Sequence, residues 1–399
     1  MIAGPYRGAS RSGRVGSVTI VSFAQEPRRP PVALRSRSAS LTRLPPLSRY
    51  FLVVAEPGAH ADAFSALMSR NLFDQPEDRY FKYYRRNPLG SPHLVLAARS
   101  SSEEFVGMAA LIPTRLRSSG DAIRGGIASD FAVDREHRGF GPALQLQRAL
   151  LAQLGDETDF IFGIPNRAAE PLFHRLGYTD LGRLTRFVKV FQAQVALERY
   201  VRTAPLKTLS SAVIDPVLAI VSRERFYRRS LRLTVEKPSR FDERFVPLWQ
   251  EVANGSLVTG ERTPEIMNWR YEIDPARTAD RKYAIFAVLD LDDVVVGYVV
   301  YFVRNNVRHV VDILVLGPSK GLDALLSEFI IDARRERAAA VSIVYVGSPN
   351  SLTRGLRRFG FIERREQPRL MVNVSPKAPH LSRLRERDSW YFVAGDNDI

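Results

Sequence analysis

"AVDREHRGFGPALQLQRALL", residues 132–151, places two glycines and a proline between the end of an apolar strand and the start of an apolar helix. Gly139 and Gly141 strip side chains from the turn. Pro142 stands in the first turn of the expected helix, where its missing N–H is not needed. A helix start presents free N–H groups and the positive end of the macrodipole. Glycines ahead of it let a ligand reach the main chain, so the turn suits an anion such as a pyrophosphate, with Arg138 as a charge partner at its entrance. A plain strand-to-helix turn would use the same residues, and the loop alone leaves both readings open. It is not a P-loop, because no Lys-Ser or Lys-Thr follows the glycines, and the third glycine of the dinucleotide fingerprint is absent.

The segments around the loop read as an α/β unit. A helix is predicted over 60–73, strands over 93–100, 104–114 and 125–134, and a helix over 142–154 with Ala143, Leu146, Leu150 and Leu154 on one face. "DFIFGIP" (159–165) is the continuous apolar run of a strand buried on both faces. A short helix, 168–177, stops at Gly177, and a strand follows at 183–191. The second half repeats this order. "NWRYEIDP" (268–275) echoes "KYYRRNP" (82–88), and "HVVDILVL" (309–316) echoes "IASDFAVD" (127–134), with Asp312 matching Asp130. "AVSIVYVGSPN" (340–350) echoes "DFIFGIPN", and "LTRGLRRFGF" (352–361) echoes "AEPLFHRLGY". Offsets stay near 180 residues throughout, which points to an internal duplication.

Composition narrows the function. With 399 residues the chain has room for two domains. The net charge is +15, and eight of the arginines fall in the first 43 residues beside a single acid, Glu26. Such a field favours anionic ligands; nucleic acid is not the expected partner. There are no cysteines, which excludes disulfides and thiolate chemistry. The six histidines have no metal-site spacing, so no metal is expected. The longest apolar runs, such as 50–55, are too short to span a bilayer, and no secretory segment is visible. The reading is of a cytoplasmic protein that does not bind membranes.

The loop Arg138-Gly139-Phe140-Gly141-Pro142-Ala143 resembles the Arg/Gln-x-x-Gly-x-Gly/Ala loop of the GNAT acyltransferase superfamily, whose backbone amides hold the pyrophosphate of coenzyme A. "NRAAEPLFHRLGY" (166–178) resembles the second block of that family through Asn166, Ala169, Leu172, Gly177 and Tyr178. The resemblance covers roughly residues 47–191. It implies an α/β fold of two tandem GNAT-like domains, each a mixed central sheet flanked by helices. On that reading residues 1–43 are a disordered basic extension, 44–191 the acyl-CoA-binding domain, 192–230 a helical connector and 231–399 a degenerate second domain.

The resemblance further implies acetyl-CoA or another acyl-CoA as co-substrate. Its contacts would come from Ala132, Val133, Arg138, Gly139, Phe140, Gly141, Pro142, Ala143, Asn166 and Phe173. The acceptor would be a small-molecule amine or hydroxyl, such as a sugar or a cell-surface glycan precursor, and the protein a monomer or homodimer. One departure stands out: the tyrosine that protonates the leaving thiolate in the family falls on Phe173, which has no proton to give. Tyr178 is the candidate substitute and Asp130 the candidate base; His174 and Glu136 read as surface residues. In the second copy "LGPSKGLDALL" (316–326) lacks the loop pattern. Asn350, Gly360 and Phe361 persist there, with Leu356 at the tyrosine position, so a lost coenzyme site is expected. Arg354, Arg357, Arg358, Arg364, Arg365 and Arg369 suit either a substrate cleft or a solvated surface. "DSWYFVAGDNDI" (388–399) suits either sugar or amine recognition or a terminal strand. Two rival functions remain: a Fem-type peptidyltransferase using aminoacyl-tRNA, and a non-catalytic coenzyme A-binding protein.

Overall fold

The computed structural model describes residues 49–56, 58–72, 76–138, 140–155, 157–192, 233–271, 282–315, 320–348 and 351–397. The expected extension and nearly all of the expected connector lie outside them. The first half runs β1 (Tyr50–Ala55), α1 (Ala61–Asn71), α2 (Pro76–Tyr80) continuing into a π-helical turn (Phe81–Arg85), β2 (His93–Arg99), β3 (Phe105–Ser118), β4 (Asp121–Val133), α3 (Phe140–Leu151), β5 (Phe160–Gly163), α4 (Glu170–Arg175) and β6 (Thr179–Val190). The second half runs β7 (Thr234–Glu236), α5 (Val246–Ala253), β8 (Val258–Gly260), α6 (Pro264–Tyr271), β9 (Tyr283–Leu289), β10 (Val295–Arg304), β11 (Val307–Val315), α7 (Lys320–Arg335), β12 (Ala340–Gly347), α8 (Ser351–Arg358), β13 (Ile362–Val374), α9 (Leu381–Arg385) and β14 (Trp390–Val393). From β2 to β6 and from β9 to β13 the order is the same: an antiparallel meander, a helix, a strand parallel to the last of the meander, a helix and a final strand.

The apolar run at β5 behaves as its sequence requires. Phe160 and Phe162 enter one core, Ile161 enters the core on the opposite face, and all three are fully buried. On α3, Leu146 and Leu150 are fully buried and Ala143 and Leu154 pack beside them, the face that the spacing assigns.

Each half has the expected mixed sheet flanked by helices, and the two sheets are continuous with each other. A single 14-stranded sheet runs β1-β2-β3-β4-β5-β13-β6-β12-β11-β10-β9-β7. The neighbour of β5 is therefore β13 from the second half, and the neighbour of β12 is β6 from the first. β6 and β13 pair with each other at the centre, Ile362 opposite Val188 and Leu370 opposite Gly182. β14 pairs with β12 and β8, and β8 pairs with β3. This closes a ring of strands, β3-β4-β5-β13-β6-β12-β14-β8. Every strand of the ring contributes to one hydrophobic cluster, which includes Ile127, Phe160, Phe162, Leu370, Trp390 and Phe392. Phe162 meets Phe392 edge-on at 5.6 Å and Trp390 at 6.4 Å, a preferred aromatic geometry.

In each half two parallel strands pair briefly and then diverge. β4 and β5 pair only from Gly125/Phe160 to Ile127/Phe162. β11 and β12 pair from Val307/Ala340 to Val310/Ile343. The two wedges differ in what fills them. In the second half, β14 pairs with β12 at Tyr345, Val346 and Gly347, beyond the point of divergence. Tyr391 then donates its hydroxyl proton across the wedge to the carbonyl oxygen of Ile313 on β11. The chain's own C-terminal strand thus occupies the second wedge, so of the two sequence readings of 388–399 the terminal strand is the one observed, with Trp390 and Phe392 buried.

Gly347 makes this approach possible. Its φ is +140°, and a β-carbon there would overlap the carbonyl oxygen of Trp390. Gly347→Ala should therefore destabilise the protein by about 2–5 kcal/mol through backbone strain and overpacking, read as a fall in Tm of several degrees. An unchanged Tm would show that β14 does not seat there.

Candidate functional site

The first wedge opens where β4 leaves β5, beyond Ile127 and Phe162. From here to its end β4 has β3 on one side and no strand on the other, among the described residues. Beyond the wedge the chain makes a short 3-10 turn (Arg135–His137) and enters α3. Gly141, in the first turn of α3, is exposed, and a β-carbon there would find only the Tyr50 ring, 3.9 Å away. Ala143 and Pro142 complete the same turn. Gly139 lies outside the described residues, and Phe140 is described by its backbone alone. The first-turn N–H groups of this 12-residue helix have no partner within the helix itself.

Several expected contacts are already engaged within the chain. Arg138 donates from Nε to the Val133 carbonyl at 3.0 Å and reaches Asn71 Oδ1 at 3.5 Å, so it ties the loop to the end of β4. Asn71 and Arg70 hold Asp134 at 2.7 and 2.8 Å. Ala132 and Val133 are buried and stand opposite Met108 and Gly107 of β3. Asn166 Oδ1 accepts from the N–H groups of Ala168 and Ala169, both at 3.0 Å, a local turn that starts the chain toward α4.

Phe173 is 3% exposed and packs on β5: a β-carbon at Gly163 would lie 2.9 Å from its ring. Its ring centroid is 4.5 Å from that of Tyr178. Tyr178 is buried in the layer between α3, α4 and the sheet, with Val133, Leu146, Ile161 and Met371 in the same cluster. Its hydroxyl has no hydrogen-bond partner among the described residues, and burial pushes its pKa well above the usual phenol value. Such a phenol is a poor proton donor and a good hydrogen-bond donor awaiting an acceptor. Gln147 of α3 is also fully buried, with both amide atoms unpartnered. His174 and Glu170 are within 3.8 Å of each other on α4.

Asp130 sits at the head of the wedge. It is 4% exposed and has a positive φ of 47°. The β3–β4 register slips beside it, between Met108 and Ala110. Its Oδ1 is ion-paired with Arg79 Nε, and its Oδ2 accepts from the Tyr84 hydroxyl at 2.7 Å. Arg79 also donates to Ser129 Oγ at 2.7 Å. The sequence motifs missed both Arg79 and Tyr84. The one usable signal was the echo of "KYYRRNP" by "WRYEIDP", which pairs Tyr84 with Tyr271.

The second-copy residues are distributed differently. Residues 316–319 and Asn350 lie outside the described set, and Lys320 is described by its backbone alone. Leu356 is fully buried. Arg357 pairs with Glu363, Arg358 with Asp323, and Arg369 with Glu170 and Asp180. Arg354, Arg364 and Arg365 are exposed. These arginines do not converge on one cleft. No group of three or more potential metal-ligating side chains occurs among the described residues, and no helix there is long and apolar enough to cross a membrane.

Solved structures of similar fold exist. A GCN5-related N-acetyltransferase from Anabaena variabilis matches with a TM-score of 0.57 at 16% identity, over 82% of this chain and 73% of that one. A probable N-acyltransferase from Enterococcus faecalis matches with 0.54 at 12%, over 82% and 73%. Saccharomyces cerevisiae N-myristoyltransferase with bound myristoyl-CoA matches with 0.50 at 11%, over 84% and 82%. No known family profile matches the sequence, and neither does any curated protein. At such identities the likeness establishes the fold: this chain has the fold of the GCN5-related N-acetyltransferases.

The orphaned hydroxyl yields a test of the ligand-free protein. A buried unpartnered hydroxyl costs about 1–3 kcal/mol, so Tyr178→Phe should raise stability by about 1–2 kcal/mol, seen as a higher denaturant midpoint. A lower midpoint would mean that the hydroxyl is satisfied in solution.

Proposed function

We propose that the protein is an acyl-CoA-dependent acyltransferase whose donor binds in the open wedge of the first half. One observation supports this reading above the others: of two equivalent wedges, only the one beside the glycine-bearing helix start is free of the chain's own C-terminal strand. The residues fit such a donor. The N–H groups of Phe140, Gly141 and Ala143 would hold the pyrophosphate. The unpaired edge of β4, through Ala132 and Val133, would hold the amide-bearing arm. The Tyr178 hydroxyl is a buried donor without an acceptor, as a site for a carbonyl-rich ligand would leave it.

When bound, the thioester supplies an activated acyl carbonyl. The chain's own contribution is positioning, which removes most of the entropy cost of bringing donor and acceptor together, and main-chain N–H groups on β4 directed at the developing oxyanion. Phe173 cannot protonate the leaving thiolate, and Tyr178 is held too firmly protonated to do so readily. Solvent is then the proton source for the thiolate, whose pKa near the free thiol value of about 8.5 makes it a tolerable leaving group. Arg138 fixes the loop rather than meeting the phosphate, and Asn166 shapes the start of α4. The acyl group is acetyl on this reading, the acceptor a small amine or hydroxyl, and the enzyme cytoplasmic.

A second reading, a coenzyme A-binding protein without turnover, is favoured by Phe173 at the position of the family acid. Binding of acetyl-CoA with no thiol release in the presence of any amine or sugar acceptor would select it.

Titration calorimetry should find one acetyl-CoA per chain. Gly141→Asp should abolish binding by placing a side chain and a negative charge at the helix start. Two equivalent sites, or wild-type affinity in that variant, would refute the placement.

A further inference from the structure

The buried carboxylate of Asp130 has a counterpart in the half whose wedge is closed. Asp312 occupies the matching position on β11 and is fully buried. It accepts from Arg262 Nε at 3.1 Å and from the Tyr271 hydroxyl at 3.3 Å. Tyr271 is the repeat partner of Tyr84, and the β10–β11 register slips beside Asp312 as the β3–β4 register slips beside Asp130. Both halves thus carry a buried aspartate beside a register slip, held by an arginine and a repeat-matched tyrosine, with the Tyr298 hydroxyl as a further donor to Asp312 at 3.4 Å. In the second half no acyl donor can enter, because Tyr391 and its neighbours fill the wedge. No proton transfer to a substrate is possible there, yet an aspartate–arginine–tyrosine cluster stands there too. In the second half such an aspartate therefore holds structure and not a substrate.

The first-half geometry agrees. Asp130 has a left-handed backbone, uncommon in a residue with a β-carbon and stable where its surroundings impose it. Arg79 imposes it by gripping consecutive residues, the Asp130 carboxylate and the Ser129 hydroxyl. Tyr84 completes the clamp from the π-helical turn after α2. That turn is itself braced by the second half: Lys82 Nζ donates to the Arg270 carbonyl at 2.9 Å, and the Trp269 indole donates to the Lys82 carbonyl at 3.2 Å.

We infer that Asp130 is a positioning residue, held by Arg79 and Tyr84 so that β4 bulges away from β5 and the donor wedge stays open, and that it is not the base that deprotonates the acceptor. This rests on the acyl-CoA reading above. The bulge directs the free edge of β4 at the arm of the donor. The α3 start, which would bind the nucleotide end, is a separate element.

The separation supplies the test. Full-length wild type, Asp130→Asn, Tyr84→Phe and the charge-neutral double variant Arg79→Gln/Asp130→Asn are titrated with acetyl-CoA and, separately, with 3′-phosphoadenosine 5′-diphosphate, the nucleotide half of coenzyme A. A clamp that shapes the wedge predicts that Asp130→Asn weakens acetyl-CoA binding about tenfold, Tyr84→Phe by a smaller factor, and neither alters binding of the nucleotide half. The double variant, with a neutral hydrogen-bonded pair, should recover part of the loss. Undiminished acetyl-CoA affinity in Asp130→Asn overturns the proposal, because a residue that acts only on the acceptor leaves donor binding untouched. Equal weakening of both ligands overturns it too, by showing a general loss of structure. Should Asp130→Asn fail to fold, Tyr84→Phe, which keeps the ion pair and the ring, decides alone. If the wild type binds neither ligand, the acyl-CoA reading itself fails and takes the clamp with it, a result distinct from wild-type binding that the variants leave unchanged.

Discussion

The pairing of β6 with β13 is the constraint on which the rest of the molecule depends. Each is the last strand of its own repeat, and each lies against a strand of the other repeat. With this exchange the central ring of strands closes, and its core is filled from both halves at once. Neither repeat can satisfy the edge of its own β5 or β12 without the other, because an unpaired interior strand exposes its main-chain groups. The fold is a duplication in sequence whose two halves share one sheet and one central core in structure.

Duplication gives two wedges, and the C-terminal segment breaks their equivalence. After β13 the chain turns through α9 and returns as β14, between β12 and β8. It is held there by a fully buried group of charges: Arg262 binds Asp312 at 3.1 Å and Asp396 at 2.9 Å, and also donates to Thr259 and to the Gly260 carbonyl. Removing such charges from water is costly, and a buried pair of this kind contributes geometry more than net stability. Here the geometry is the register of the C-terminal segment. The carboxylate that sits at the head of an open wedge in one half anchors the plug of the other.

Much of this was legible in the sequence where the signal is local. The double-sided burial of β5 follows from an unbroken apolar run, and the exposed first turn of α3 from Gly141. The repeat showed itself because matching elements recur at a near-constant offset. The strand exchange was not legible. "IERREQPRLMVNV" in β13 reads as a charged, solvated segment, and nothing within it reveals that its partners lie about 180 residues earlier; Arg369 is accommodated because Glu170 and Asp180 from the first half meet it. The three-residue β8 and the occupied second wedge likewise exist only through long-range pairing. Asp130 was found but its partners were not, since Arg79 lies in "PEDRY", which has the composition of an ordinary solvated turn.

The same asymmetry explains why the motif residues divide as they do. Residues whose contribution is backbone shape, Gly141, Pro142, Ala132 and Val133, lie along one line from the wedge to the helix start. Residues recognised by side-chain chemistry, Arg138, Asn166 and Asp130, bond within the chain: to the Val133 carbonyl, to the turn before α4, and to Arg79 and Tyr84. On the proposed reading, such a site would bind its ligand largely through main-chain groups that substitution leaves present, and rely on side chains to keep those groups aimed. The Tyr178 hydroxyl is the exception, a buried side-chain donor with no hydrogen-bond partner among the described residues. Its burial beside Phe173 keeps a hydrogen-bond donor dry and fixed in the layer next to the wedge, where an acceptor brought by a ligand would gain more than it could from water.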